Sequence, residues 1–214
     1  MKFTAFLPLK LKSERVTGKN FIEINSKPLF YYVLKTLSDI ELVDQIVIDI
    51  DQEKIKDDIS QYFDDIEFTI RDDKLLNPSE SVNNIIKSNL DNFNNDYIIQ
   101  THVTNPLLTR NTLQKALNFY LKNEVELFSV NKYQSRFYNH ENKPVNHDIN
   151  ELIPTQLLKP VYEENSNFYI FSKMQFENNN YKRIGKKSIP HETPIIESVD
   201  IDDYEDLELV KKLI

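Results

Sequence analysis

The sequence predicts an α/β fold in which a mostly parallel sheet is covered by helices on both faces. Short apolar runs alternate along the chain with stretches whose apolar residues recur at helical spacing, the pattern of strands joined by crossover helices. The length of 214 residues fits a single domain, residues 1–214, with a sizeable core and room for one elaboration.

Each element has its own signal. Residues 3–7 are an apolar run and form the first strand, followed by a charged connection over 10–20. Pro28 opens a helix through residue 37, with Leu29, Val33, Leu34 and Leu37 on one apolar face. Residues 45–50 read as a buried strand. Ile55, Ile59 and Phe63 sit four apart on the next helix, and a strand over 67–70 delivers Arg71 to its end. Ser79 is the expected cap of a helix over 80–90. A strand at 97–100 runs into Thr101-His102-Val103-Thr104-Asn105-Pro106-Leu107-Leu108, and Thr109 caps a helix reaching about residue 122. Residues 127–130 form another strand. Polar and aromatic residues then follow without clear period from 131 to 160, the mark of an insertion or arm, before a strand at 168–172. The last helix, 204–213, is announced by Asp203 as cap with Asp206 three residues on.

Composition excludes several classes. A net charge of -8 gives no global attraction for nucleic acid or an anionic membrane surface. The absence of cysteine rules out disulfides, thiolate metal sites and cysteine nucleophiles, and a cytoplasmic location is expected. Pro8 and Lys10 cut the first apolar run short of a signal-peptide core or a membrane span, so a soluble chain is expected. With only Gly18 and Gly185, the chain lacks the Gly-rich phosphate loops of Walker and dinucleotide-binding motifs. The histidines show no zinc-ligand spacing.

In open α/β sheets ligands bind beyond the carboxyl ends of the strands. Those ends hold the 10–20 loop, Asp49, Asp51, Arg71 and residues 100–105. The loop gathers the cations Lys10, Lys12, Arg15 and Lys19, the hydroxyls Ser13 and Thr17 and the amide Asn20, a set suited to triphosphate oxygens. Asp200 and Asp202, two apart on an expected strand, point to one side and could hold the magnesium such a substrate needs. Blander readings stand beside these: a solvated lysine-rich loop, acids serving only the dipole of the helix at Tyr204, Arg71 paired with Asp72 or Asp73, and His102 as a structural histidine.

Several segments carry a resemblance. Ser13-Glu14-Arg15-Val16-x-Gly18-Lys19-Asn20, Lys27-Pro28-Leu29, Gln100-Thr101-His102-x-Thr104-Asn105-Pro106-Leu107-Leu108 and Asp200-Ile201-Asp202 stand in order along the chain. With them come Phe128-Ser129-Val130, Gln134-x-Arg136, Asn146-His147-Asp148, Pro160-Val161-Tyr162-Glu163-Glu164-Asn165-Ser166 and Arg183-Ile184-Gly185. Together they resemble the acylneuraminate cytidylyltransferase (CMP-sialic acid synthetase) family over essentially the whole chain.

The resemblance implies a Rossmann-like, three-layer nucleotidyltransferase fold, usually a homodimer with a small dimerisation arm, here within residues 131–167. It implies transfer of CMP from CTP to the anomeric hydroxyl of a nonulosonic or related keto sugar acid, with release of pyrophosphate. Carried over by position, Lys10, Ser13, Arg15, Asn20, Arg71, Ser81 and Gln100 would face the nucleotide, and Thr104, Asn105, Arg136, Gln156, Tyr162 and Asn165 the sugar acid. Lys19, Asp200 and Asp202 would be catalytic, with Mg2+ on the two aspartates and one of them helping to deprotonate the attacking hydroxyl. Arg136, Asn146, His147 and the 162–165 segment suit either sugar-acid recognition or the dimer contact.

The chain departs from the family where Lys10, Leu11 and Lys12 replace the usual arginine and glycines, and where Pro154 and Leu157 stand in place of the more frequent arginine and aspartate. These last two keep open a sugar phosphate or phosphonate as acceptor, and the altered loop keeps open a non-catalytic nucleotide-binding dimer.

Overall fold

The computed structural model describes residues 1–13, 15–77 and 79–214, so Glu14 of the charged loop lies outside the described residues. Its strands are β1 (Phe3–Leu9), β2 (Glu23–Ile24), β3 (Lys27–Pro28), β4 (Val43–Ile50), β5 (Glu67–Ile70), β6 (Tyr97–Thr101), β7 (Leu127–Tyr133), β8 (Val161–Ser172) and β9 (Ile189–Glu192). The helices are α1 (Leu29–Ser38), α2 (Lys54–Ser60), α3 (Val82–Ser88), α4 (Arg110–Asn123), α5 (Lys173–Asn178) and α6 (Tyr204–Leu213).

Seven strands form one sheet in the order β5-β4-β1-β6-β8-β7-β9, while β2 and β3 pair as a separate hairpin. Strands β5, β4, β1 and β6 run parallel. Strand β8 is antiparallel to both β6 and β7, and β9 is parallel to β7, so β8 alone runs against the rest of this sheet. The mostly parallel sheet expected from the sequence is therefore present.

The two-residue period of the strands sorts the core into layers. Phe3, Ala5, Leu7 and Leu9 of β1, Ile46, Ile48 and Ile50 of β4, Ile99 of β6 and Ile170 of β8 face one cluster, closed by α1, α2 and α4. Their neighbours Phe6, Val47, Ile98, Tyr169 and Phe171 face the opposite cluster, closed by α3 and α5. Central strands are buried on both sides, so they read as unbroken apolar runs rather than alternating ones.

Capping sets the helix boundaries. Thr109 accepts from Thr112 N and opens α4, and Asp203 and Asp206 form a reciprocal capping box that opens α6, both as expected. Pro28 is the residue before α1 rather than its first. The cap of α3 is Ser81, which accepts from Asn83 N, and not Ser79; the helix starts correspondingly later than expected. The α2 helix ends at Ser60, short of Phe63, which packs against the first cluster from beyond the helix end.

The 131–160 region is more regular at its ends than its composition suggests. Strand β7 continues to Tyr133 and β8 begins at Val161, pairing Tyr133 with Val161 and Val130 with Glu164. Between them lie an isolated bridge from Tyr138 to Pro144 and a 3-10 turn, Thr155–Leu157. Its apolar side chains are left open: Leu152 is 90% exposed and Leu157 71%. The segment around Asp200 also differs from expectation, for it is not a strand. It is an extended connection between the 3-10 turn Ile195–Ser198 and α6, held by Ile201 N donating to the Thr104 carbonyl. Among the described residues no helix is long and apolar enough to cross a membrane.

Candidate active site

A cavity of about 630 Å3 opens at the carboxyl ends of β1, β5 and β6 and beside Asp51, just past β4. Pro8, Lys10, Lys12, Ser13, Arg15, Lys19 and Asn20 form one wall, Arg71 and Asp51 another, and His102, Val103 and Thr104 a third. The loop and three strand ends singled out in the sequence thus meet at one place, the crevice position expected for this sheet.

Local chemistry shapes the loop. Gly18 has φ of 64°, a left-handed conformation that side-chain-bearing residues adopt only with strain, and it starts the 3-10 turn that carries Lys19 and Asn20. Asn20 Nδ2 donates to the Lys10 carbonyl at 2.9 Å, and Leu11 N donates to Asp51 Oδ1 at 2.8 Å. These two bonds draw the loop across the end of β1 and give Asp51 a loop-anchoring task. Asn20 Oδ1 is buried without a partner.

The acid segment is carried to the loop by an apolar plug. Val16 and Ile201 are both fully buried in a third cluster with Ile24, Leu29, Leu207 and Val210, which joins the loop, the β2–β3 hairpin, α1 and α6. Upstream, buried Glu197 accepts from Thr109 N, Thr109 Oγ1 and Thr112 Oγ1, placing a carboxylate at the α4 N-terminus where the helix dipole favours it. Ile201 is turned into this plug, and Asp200 and Asp202 flank it in sequence.

The two aspartates are not equivalent. Asp202 is paired with Arg15, Nη2 to Oδ1 at 2.5 Å, and with Lys19, Nζ to Oδ1 at 3.3 Å. Lys19 also donates to the Ile201 carbonyl. Asp200 has its Oδ1 buried with no partner. Burial pushes the Asp200 carboxyl above the ordinary carboxylate range, and the Asp202 charge adds to this, while Thr104, Lys19 and Arg15 pull it back.

An unpartnered buried carboxylate oxygen beside a second carboxylate is a donor set that fits a hard divalent cation. Among the described residues no group of three or more His, Cys, Asp or Glu side chains could hold a metal, so any ion on Asp200 and Asp202 would take its other ligands from substrate oxygens and water.

Arg71 is nearly inaccessible and pairs with Asp49 rather than with Asp72 or Asp73. Its Nε lies 2.5 Å from Asp49 Oδ1 and its Nη2 3.2 Å from the Asp49 carbonyl. Asn89 Nδ2 holds the other Asp49 oxygen at 3.0 Å. Burial raises the Asp49 carboxyl, against the pull of Arg71 and Asn89. The third guanidinium nitrogen, Nη1, is buried and unpartnered, and the residue lines the cavity.

Other sequence candidates fall elsewhere. The Ser81 hydroxyl caps α3, and its neighbours Glu80 and Val82 line the cavity instead. Gln100 is fully buried behind His102. Asn105 is fully buried and both its amide atoms lack partners. Arg136 Nη2 donates to the Ile153 carbonyl, and Gln156 sits in the 3-10 turn of the arm. Tyr162 is exposed near Glu192, and Asn165 Nδ2 bonds Asn131 Oδ1 and Thr193 Oγ1. Within one chain Arg136, Gln156, Tyr162 and Asn165 therefore do not reach the cavity. Arg183, which belongs to a resembling segment but was given no role in the sequence, donates to Gln100 Oε1 at 2.5 Å.

The chain matches the family model described as cytidylyltransferase over residues 4–213. It is 28% identical over 155 residues to a pseudaminic acid cytidylyltransferase of Campylobacter jejuni serotype O:23/36, and 26% identical to that of serotype O:2, in each case over 68% of this chain and 66% of the relative. The match thus spans just under two thirds of the length of these curated relatives. Among solved structures, CMP:2-keto-3-deoxy-manno-octonic acid synthetase complexed with CTP superposes with a TM-score of 0.73 at 12% identity, covering 100% of this chain and 98% of that one. The 4-diphosphocytidyl-2C-methyl-D-erythritol synthase of Anaerococcus prevotii does so with a TM-score of 0.71 at 14% identity, covering 99% and 98%. At such identities these two likenesses speak to the fold, which is that of nucleotidyltransferases. With the family model spanning nearly every residue, the chain belongs to the cytidylyltransferase family.

Proposed function

We propose that the protein transfers CMP from CTP to the anomeric hydroxyl of a nonulosonic or related keto sugar acid and releases pyrophosphate. The observation that carries this reading is a cavity lined by a cationic loop whose Arg15 and Lys19 pair with Asp202, next to Asp200 with its buried, unpartnered carboxylate oxygen. Triphosphate oxygens need the first and a divalent cation needs the second. Lys10, Lys12, Arg15 and Lys19 neutralise the phosphates as negative charge moves onto the leaving pyrophosphate, and Arg71 Nη1 offers one further N–H from a buried, pre-oriented guanidinium.

Asp200 and Asp202 would hold Mg2+, which when bound supplies charge neutralisation at the α-phosphate and pyrophosphate oxygens. One of the two aspartates would also help to receive the proton of the attacking hydroxyl. Because the curated relatives are named for pseudaminic acid, that acid is the first acceptor to try.

The apolar side chains exposed along 138–157 support reading the arm as the contact with a second copy of the chain. A homodimer would give Arg136, Gln156, Tyr162 and Asn165 a role in acceptor recognition or subunit contact that one chain does not offer them. The substrates, CTP and a small sugar acid, fit a cytoplasmic enzyme with neither nucleic acid nor membrane as partner.

The test is pyrophosphate release by the purified protein with CTP and magnesium against pseudaminic, legionaminic, sialic and 3-deoxy-octulosonic acids, with sugar phosphates and phosphonates as further acceptors. Turnover on one acid is the expected result. Turnover only with a phosphorylated acceptor would replace the sugar acid in this reading, and failure to bind CTP would end it.

A further inference from the structure

Arg183 and Gln100 form a chain of hydrogen bonds that ends on the His102 ring at the cavity wall. Gln100 is fully buried on β6, and its amide is fixed at both ends. Arg183 Nη1 donates to Gln100 Oε1 at 2.5 Å, and Gln100 Nε2 donates to the Thr101 carbonyl at 3.0 Å. Turned over, the amide would set N–H against N–H at Arg183 and oxygen against oxygen at Thr101, so only one orientation satisfies the network. Gln100 Nε2 then presents its remaining N–H to His102 Nε2, 3.0 Å away. A ring nitrogen facing a donor must accept, and an accepting Nε2 leaves the ring proton on Nδ1.

The start of the chain is held as firmly as its end. The Arg183 guanidinium lies over the Tyr169 ring, Cζ 3.7 Å from the centroid, and its backbone N donates to Asn83 Oδ1 at 3.2 Å. Glu164, hydrogen-bonded by the Tyr169 hydroxyl, stands 3.9 Å from Arg183 Nη2. A planar fork stacked in this way cannot swing off Gln100 without leaving the ring face. Burial opposes a second proton on His102, and the same cation, with Lys19, adds to this. Among the described residues, Gln100 Nε2 is the only side-chain partner of the imidazole, while the ring lines the cavity beside Lys19 and Thr104.

We propose that Arg183, acting through Gln100, locks His102 in the neutral Nδ1–H tautomer, and that this N–H is a hydrogen-bond donor to an anionic oxygen of the ligand in the cavity. His102 is then a binding residue, and Gln100 and Arg183 are positioning residues. This assignment rests on the CTP and sugar-acid reading above. The shared chemistry is an acceptor oxygen, carried either by the triphosphate or by the carboxylate of the acid. A neutral donor serves such an oxygen without adding a further charge to a wall that already carries Lys10, Arg15 and Lys19.

The tautomer is read directly by 15N NMR of the full chain labelled at histidine. The chain has four histidines, so comparison with His102→Asn assigns the resonances. The ligand-free protein is expected to show a protonated Nδ1 and an unprotonated Nε2 on His102 across about pH 6 to 8, the range in which an ordinary imidazole titrates. Arg183→Met, which frees Gln100 to turn, is expected to give a tautomer mixture. Gln100→Glu sets a carboxylate oxygen against Nε2 and is expected to move the proton there, which keeps the test open should Arg183→Met fail to fold.

Binding supplies the second readout. His102→Ala is expected to weaken one constant about tenfold, the effect of one lost hydrogen bond, and His102→Asn, whose side-chain amide can approach the Nδ1 position, to weaken the same constant by less. A raised CTP Kd assigns the oxygen to the triphosphate, and a raised acid KM at unchanged CTP Kd assigns it to the acceptor. A ligand-free ring protonated on Nε2 or on both nitrogens, or a His102→Ala protein with both constants unchanged, would overturn the proposal. A wild-type protein that neither binds CTP nor turns over an acid overturns the functional reading and the ligand half of this proposal, while the ligand-free spectra still decide the lock.

Discussion

Lys19 closes the cationic loop onto the acid segment: its ammonium lies 3.3 Å from Asp202 Oδ1 and donates to the carbonyl of Ile201. Arg15 makes a shorter contact to the same carboxylate, yet its side chain is 65% exposed whereas that of Lys19 is 12% exposed. Exposed pairs are screened by water and salt and contribute little, while a largely buried ammonium keeps most of its interaction. Lys19→Met is therefore expected to weaken CTP binding by roughly tenfold to a hundredfold, the range for a lost charge-assisted hydrogen bond, and Arg15→Met by severalfold at most. Titration calorimetry at two salt concentrations checks both, and equal effects of the two variants would contradict this ranking.

Asp200 separates stability from activity. Its buried Oδ1 has no protein partner, so the folded chain carries a partly desolvated charge that it does not use for its own cohesion. Asp200→Asn removes that charge and is expected to leave the melting temperature unchanged or raised. Pyrophosphate release is expected to fall at least about a hundredfold, as for other losses of groups that stabilise charge at a reacting centre. Added magnesium with CTP should raise the wild-type melting temperature and leave that of the variant nearly unmoved. A variant that melts early would show the carboxylate to be a structural group.

The Arg71–Asp49 pair is buried and structural, and the functional reading adds a binding role for Arg71. Removing either partner strands a buried charge, so Arg71→Met or Asp49→Leu alone is expected to cost about 3–5 kcal/mol in chemical denaturation. The double variant, with both charges gone, should recover much of that loss because apolar replacements of buried pairs are often tolerated. CTP affinity should not recover with it, since Arg71 Nη1, the atom left for the cavity, is gone. Restored binding in the double variant would place Arg71 among the structural residues only.

What the sequence made legible follows from what is local. The α6 cap at Asp203 and the α4 cap at Thr109 are written in a few adjacent residues, and both are found in the structure. The central strands were visible because burial on both faces leaves unbroken apolar runs. The short β9 was missed, for Ile189-Pro190-His191-Glu192 is neither apolar nor alternating and becomes a strand only by pairing with β7.

The same division holds at the site. The loop and Arg71 were legible as strand-end residues and line one cavity, whereas the acid segment, expected on a strand, is a connection in which Ile201 is drawn inward by a cluster that includes Val16. The partner of Arg71 lies 22 residues upstream rather than next door, and the bond from Arg183 to Gln100 spans 83 residues. Such contacts are products of the fold and leave no spacing to read.

The functional reading gives the arm's exposed apolar side chains a second copy of the chain to pack against. Ile149, Leu152 and Leu157 are each at least 70% exposed and lie within one connection. Sedimentation of the purified protein is expected to show a dimer, and Leu152→Asp with Leu157→Asp to shift it toward monomer while its circular dichroism stays the same. Because Arg136 and Gln156 lie on the same arm, the monomeric variant should also lose acid turnover more than CTP binding. A wild-type monomer at assay concentration would remove the second copy from the functional reading.

His102 should leave a signature in the pH dependence of stability. Burial, with Arg183 and Lys19 close by, holds its pKa down to about 3, below the ordinary value of 6.5. Between those values the unfolded chain binds a proton that the folded chain does not, so stability rises with pH across the window and is lost as pH falls through it. One proton corresponds to at most about 1.4 kcal/mol per pH unit, and the part of the ring open to the cavity trims this. His191, also lowered by burial, adds a slope of the same sign. Urea unfolding between about pH 4 and 6.5 should therefore show a shallower slope for His102→Asn than for wild type, by up to one proton. Identical slopes in wild type and His102→Asn would mean that the folded protein admits the proton, against the Gln100 orientation proposed above.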